Sequence, residues 1–177
     1  FFIEGKKTGK RLKKNDSIAV DGVCLTVIGR RGKTFCVQAV EETLKKTALG
    51  GLRKGALVNL ERPLLPTSLL GGHFVLGHVD GVGLVKDVEI RRSSWVFWIQ
   101  VPSRFRSLLI PAGSIAVNGV SLTVADLKDR RFAVSIIPHT WRMTTFRLLR
   151  RGDGVNLEFD VLGKYVSRLL TVGKKRT

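Results

Sequence analysis

The sequence predicts an all-β protein made of two tandem copies of one small closed barrel, the first short at its N-terminus, followed by a C-terminal amphipathic helix. Three observations carry that prediction. The first is a repeat: Ser17-Ile-Ala-Val-Asp-Gly-Val-Cys-Leu-Thr-Val27 returns as Ser114-Ile-Ala-Val-Asn-Gly-Val-Ser-Leu-Thr-Val124, 97 residues further on. At the same spacing Phe35 meets Phe132, Thr43 meets Thr140, Gly55 meets Gly152, and Val58-Asn-Leu-Glu61 meets Val155-Asn-Leu-Glu158. Roughly twenty of the 45 positions agree without a gap, which marks a duplicated module. The second is a series of short β-branched runs separated by glycine-marked turns, a pattern that suits small barrels. The third is helical spacing of apolar residues near the C-terminus.

Each element follows from local chemistry. Phe1-Phe2-Ile3 aligns with Trp98-Ile99 and reads as the tail of a strand. Ser17–Val20 and Val23–Ile28 form a hairpin around Asp21-Gly22, because those residues accept the positive φ angles of a tight turn; Asn118-Gly119 plays the same part in the second copy. Strands are expected at Thr34–Val40 and Leu57–Leu60, and at Arg131–Ile137 and Val155–Phe159. Between them, Glu41–Leu49 and Thr140–Leu148 each suit a short helical turn. The second copy is expected to open with a strand over Gly72–Val85, followed by Ser94–Val101. The first copy lacks that opening strand, leaving it about two dozen residues short and its sheet with an unpaired edge. In Asp160–Leu170, residues Val161, Leu162, Tyr165, Val166, Leu169 and Leu170 share one helical face that needs a cover. The domains are then 1–68, 69–160, and a helix with a basic tail at 161–177.

Bulk composition narrows the function. A hydrophobic fraction of 44% with 25% charged residues belongs to a folded globular chain. No apolar run approaches the roughly 20 residues of a membrane span, and Phe1-Phe2-Ile3-Glu4-Gly5 has no signal-peptide pattern. Cys24 and Cys36 lack metal or redox spacing, so free thiols in a cytoplasmic protein are expected. The net charge of +17 favours anionic partners in general. Its cations are dispersed in sequence without interleaved aromatics, which argues against a nucleic-acid platform.

Several motifs in order resemble the riboflavin synthase family. They are Gly22-Val-Cys-Leu-Thr-Val27, Glu42-Thr43-Leu44, Gly71-Gly-His-Phe-Val-Leu-Gly-His-Val-Asp80, Gly119-Val-Ser-Leu-Thr-Val124, Ile137-Pro-His-Thr140 and Val155-Asn-Leu-Glu-Phe-Asp160. The resemblance covers essentially the whole chain. It implies two six-stranded Greek-key barrels, each able to hold one lumazine or flavin. It also implies a homotrimer with sites between the first barrel of one subunit and the second barrel of its neighbour, and an association with lumazine synthase. Two molecules of 6,7-dimethyl-8-ribityllumazine would exchange a four-carbon unit, giving riboflavin and a ribitylamino-pyrimidinedione, with no metal or cofactor. The chain departs from the family pattern at Ala112, where a lysine is usual, and over Trp141-Arg-Met-Thr-Thr145.

Candidate site residues come from the same resemblance, each beside a plainer alternative. Cys24 suits a strand core as a small residue, yet its counterpart Ser121 carries a hydroxyl, which suggests two related polar ligand sites. Alternation puts Thr26 on the face of Cys24, and Thr123 on that of Ser121. Both threonines are also ordinary strand residues. His78, favoured over His73, is the candidate acid or base, against a purely structural histidine. Asp160 is either a cap for the last helix or a polar participant in the site. Ser17 completes the catalytic candidates. Substrate contacts are expected from Cys24, Leu25 and Thr26, from Gln38, Glu42 and Thr43, and from Gly77, His78 and Val79. In the second barrel they fall on Ser121, Leu122 and Thr123, and on Ile136, Ile137, Pro138, His139 and Thr140. A lumazine or flavin carrier of the same fold is the alternative to an enzyme.

Overall fold

A computed structural model describes residues 1–173 of the protein. The basic tail expected at the C-terminus lies outside the described residues. The first half contains β1 (Phe2–Glu4), α1 (Thr8–Arg11), β2 (Ser17–Val20), β3 (Val23–Arg31), β4 (Thr34–Val37), α2 (Glu41–Lys46) and β5 (Leu60–Glu61). Its strands form an open antiparallel sheet in the order β1-β4-β3-β2-β5. The second half contains β6 (Gly81–Ile90), β7 (Trp95–Gln100), β8 (Ser114–Val117), β9 (Val120–Lys128), β10 (Arg131–Ile136), α3 (Pro138–Met143), β11 (Gly154–Phe159) and α4 (Val161–Gly173). Its six strands close into a barrel in the order β10-β7-β6-β11-β8-β9.

The repeat is visible strand by strand, with β1 to β5 answering to β7 to β11 and α2 answering to α3. β6 has no counterpart among the described residues. It bridges β7 and β11, and that bridge closes the second barrel. In the first half β1 and β5 remain edges.

Strand alternation builds the two cores. Val23, Leu25 and Val27 of β3 point inward with Ile18, Phe35 and Leu49, whereas Cys24 and Thr26 face out. The larger second core gathers Phe97, Ile99, Phe132, Phe146, Leu157 and Phe159 inside the barrel. Trp141, at an unusual position for the resembled family, stacks on Trp95 with ring centroids 4.2 Å apart and planes 7° from parallel. It therefore belongs to the packing of the second half.

Three expected elements need correction. The strand placed at Gly72–Val85 begins only at Gly81. Gly72 and Gly77 have φ of +117° and +79°, and the Leu76 and Gly77 N–H groups go to a carboxylate instead of a strand. The strand at Leu57–Leu60 shrinks to Leu60–Glu61, since the Asn59 N–H donates to Asp21 Oδ1. The strand at Thr34–Val40 stops at Val37, with Val40 standing at the N-terminus of α2. Helix α1 and the turn at Ser103–Leu108 were not expected; neither shows apolar periodicity in four to six residues.

The two halves meet at their hairpin turns around a pseudo-two-fold axis. Gly22 and Gly119 pack backbone to backbone: a Cβ on Gly22 would lie 2.5 Å from the Gly119 nitrogen. Paired hydrogen bonds surround them. Asn59 Nδ2 donates to Asn118 O (3.0 Å), and Asn156 Nδ2 donates to Asp21 O (2.8 Å). Asn59 Oδ1 accepts from Thr145 N (2.9 Å), and Asn156 Oδ1 accepts from Ala48 N (2.7 Å). No helix among the described residues is long and apolar enough to cross a membrane. The apolar face of α4 is uncovered, with Leu162, Tyr165, Val166, Leu169 and Leu170 all exposed.

Candidate functional site

A cleft of about 790 Å³ lies between the halves, beside the pseudo-two-fold axis. Ser17, Cys24, Gly77 and Ser121 line it, as do His73, Arg62 and Arg147. The duplicated Cys24 and Ser121 face outward from their strands, and the meeting of the turns before them brings both to this one opening.

The segment 71–80 covers both positions differently. Toward the first half, the Gly77 carbonyl accepts from Cys24 N–H at 2.9 Å, and Val79 inserts its side chain into the first core. A Cβ on Gly77 would lie 2.6 Å from Cys24 Cβ, so only glycine allows this approach. Toward the second half, His73 Nδ1 lies 2.8 Å from Ser121 Oγ. Burial depresses the His73 pKa, opposed by the carboxylates of Asp160 and Glu158. Its Nε2 is buried without a hydrogen-bond partner among the described residues.

The remaining candidates fall around these two centres. β4 runs back toward the start of β3, so Gln38, Glu42 and Thr43 follow at the end of the sheet where Cys24 and Thr26 lie. By the same geometry Ile136, Ile137, Pro138, His139 and Thr140 follow β10 toward the end where Ser121 and Thr123 lie. Thr26, Gln38, Glu42, Thr123, Ile137, Pro138 and His139 are exposed, and none of them lines the cleft. Leu25, Val79 and Ile136 are buried in the cores and Leu122 packs against one, so their side chains serve packing. The Thr43 and Thr140 carbonyls accept the hydroxyls of Thr47 and Thr144, both at 2.7 Å.

His78 is exposed, next to Gly77, and lies outside the cleft lining. Asp160 caps α4, its Oδ1 accepting from Leu162 N–H at 2.9 Å. Cys24 and Cys36 are free thiols. Among the described residues no cluster of three or more His, Cys, Asp or Glu side chains is placed to hold a metal ion. Sequence reasoning passed over Arg62, Arg147 and Glu158, and ranked His73 below its neighbour. The recurrence of Val-Asn-Leu-Glu was the available signal for Glu158: a polar pair repeated inside a strand has a partner to hold.

Comparison with known proteins gives consistent findings. The lumazine binding domain matches residues 3–63 and again residues 76–160. Riboflavin synthase of Bacillus amyloliquefaciens is 42% identical over 168 residues, covering 95% of this chain and 78% of the relative. Riboflavin synthase of Actinobacillus pleuropneumoniae is 40% identical over the same length, with the same coverage. In fold, the chain is similar to LumP complexed with riboflavin, at TM-score 0.82 and 24% identity, covering 88% of this chain and 84% of that one.

Proposed function

The chain belongs to the riboflavin synthase family, and from that premise we propose that it joins two molecules of 6,7-dimethyl-8-ribityllumazine into riboflavin and a ribitylamino-pyrimidinedione by transfer of a four-carbon unit. It is an enzyme of the transferase type. The observation that supports the substrate reading best is that Cys24 and Ser121, equivalent residues of a duplicated lumazine-binding module, both face outward at a ligand-sized opening, one on each half.

The chemistry suits such a site. The C7 methyl of the lumazine loses a proton readily because the carbanion delocalises into the heterocycle. The protein then has to hold two rings in a fixed relative orientation and supply proton relays. Small polar groups and backbone amides hydrogen-bond a pteridine edge without filling the ring pocket. In this reading Cys24 and Ser121 each touch one ring, and Ser17 contributes a hydroxyl at the cleft wall. Thr26, Gln38, Glu42 and Thr43 bind on the first half; Thr123 and Ile136–Thr140 bind on the second. His78 moves the proton, supported by its place beside Gly77, which is pinned to Cys24. Asp160 contributes through the His73 end of the site, supported by its electrostatic pull on that imidazole.

The wider reading includes a homotrimer joined through the uncovered face of α4, sites shared between subunits, an association with lumazine synthase, and a cytoplasmic location. It keeps the division at 1–68, 69–160 and 161–177, supported by two buried cores that share no residue, the first completed by Val79 from across the boundary. His78→Ala should slow riboflavin formation at least about tenfold while changing lumazine affinity less than about threefold, as loss of an acid–base group does. Unchanged turnover would remove His78 from the mechanism.

A further inference from the structure

We infer that Glu158 is a positioning residue that holds the Leu76–His78 turn against Cys24 and thereby shapes the ligand site of the first half. The inference rests on the lumazine reading given above and adds a residue to it. Glu158 sits in β11, two residues beyond Asn156, on the outward face of that strand. That face is not open to water: Glu158 is only 3% exposed. A carboxylate so deeply placed needs donors, and both of its oxygens have one. Leu76 N–H donates to Oε1 at 2.8 Å, and Gly77 N–H donates to Oε2 at 2.9 Å.

Gly77 is therefore gripped from two sides. Its N–H is held by Glu158 and its carbonyl by the Cys24 N–H. Since the glycine packs directly on Cys24, a shift of the turn moves both the wall of the cleft and the neighbouring His78. The far end of the segment is fixed separately. Asp80 N–H donates to Leu157 O at 2.8 Å, Asp80 Oδ2 accepts from Phe159 N–H at 2.9 Å, and the same oxygen meets Lys164 Nζ at 2.6 Å. Glu158 thus acts on the turn, while Asp80 anchors the start of β6. The counterpart of Glu158 in the repeat, Glu61, makes no side-chain hydrogen bond or ion pair among the described residues.

The test compares the wild type with Glu158→Gln, which keeps one acceptor oxygen, and Glu158→Ala, which keeps none. Amide hydrogen exchange over residues 74–79 reads the clamp directly, and quenching of riboflavin fluorescence reads the site. Both variants should exchange faster in that segment while β7 and β10 keep wild-type protection. Riboflavin affinity should fall at least fivefold in Glu158→Gln and further in Glu158→Ala. If the alanine variant does not fold, the glutamine variant alone decides. Faster exchange with unchanged affinity, or uniform loss of protection across the barrel, would overturn the positioning role. Absence of riboflavin binding by the wild type would instead overturn the lumazine reading, and this inference with it.

Discussion

Gly22→Ala should pull the two halves of the protein apart. Gly22 holds φ near +77°, and its Cα faces the Gly119 backbone so closely that a Cβ would stand 2.5 Å from the Gly119 nitrogen and 2.8 Å from its Cα. Neither atom belongs to a flexible side chain, so the strain cannot be relieved by a rotamer change. Left-handed strain on alanine and backbone overlap together cost about 3 kcal/mol or more. The loss falls on the contact between the halves, where the reciprocal bonds of Asn59 and Asn156 depend on the same spacing. In urea unfolding, Gly22→Ala should lower the midpoint sharply, whereas Gly29→Ala should stay near wild type, because nothing lies within 4 Å of a Cβ there. Similar midpoints for the two variants would mean that the halves do not dock through these turns.

Asp21→Asn should stabilise the protein at neutral pH and do nothing in acid. Asp21 is 8% exposed, and burial raises its pKa from 3.8 to about 6, partly opposed by the Asn59 N–H bonded to it. A carboxyl whose folded pKa lies above its unfolded value favours folding most when it is protonated in both states, below about pH 4. That advantage is lost as the pH rises through 6, and the accumulated penalty is on the order of 2–3 kcal/mol. The second half shows that asparagine fits: Asn118 has φ of +47° against +43° for Asp21, and its Oδ1 accepts from Asn156 N–H as Asp21 Oδ1 accepts from Asn59 N–H. The melting temperature of Asp21→Asn should exceed that of the wild type by several degrees at pH 7.5, with the gap closing below pH 4. A constant gap across that range would place the effect outside the titration of Asp21.

Much of this architecture was legible because the signals were local and repeated. The Asp21-Gly22 and Asn118-Gly119 turns, the alternation that turns Cys24 and Thr26 outward, and the paired helical turns after β4 and β10 all follow from short-range chemistry. What escaped depended on distant parts of the chain. The residues from Gly72 to Asp80 read as strand by their apolar content. The Leu76 and Gly77 N–H groups are nevertheless taken by Glu158, about 80 residues away, and two glycines bend the path. His73 and His78 are equivalent in the sequence pattern; only the fold buries one against Ser121 and leaves the other exposed. Asn59 and Asn156 carried a signal in their recurrence, but their role as reciprocal locks appears only when two turns are set face to face.

Incubating the purified protein with 6,7-dimethyl-8-ribityllumazine and following riboflavin by absorbance and fluorescence separates an enzyme from a carrier. Riboflavin and the ribitylamino-pyrimidinedione should form in equal amounts, one of each for every two lumazines consumed. Saturable lumazine binding with no riboflavin formed would contradict the proposed reaction and make the protein a carrier built on the same barrels.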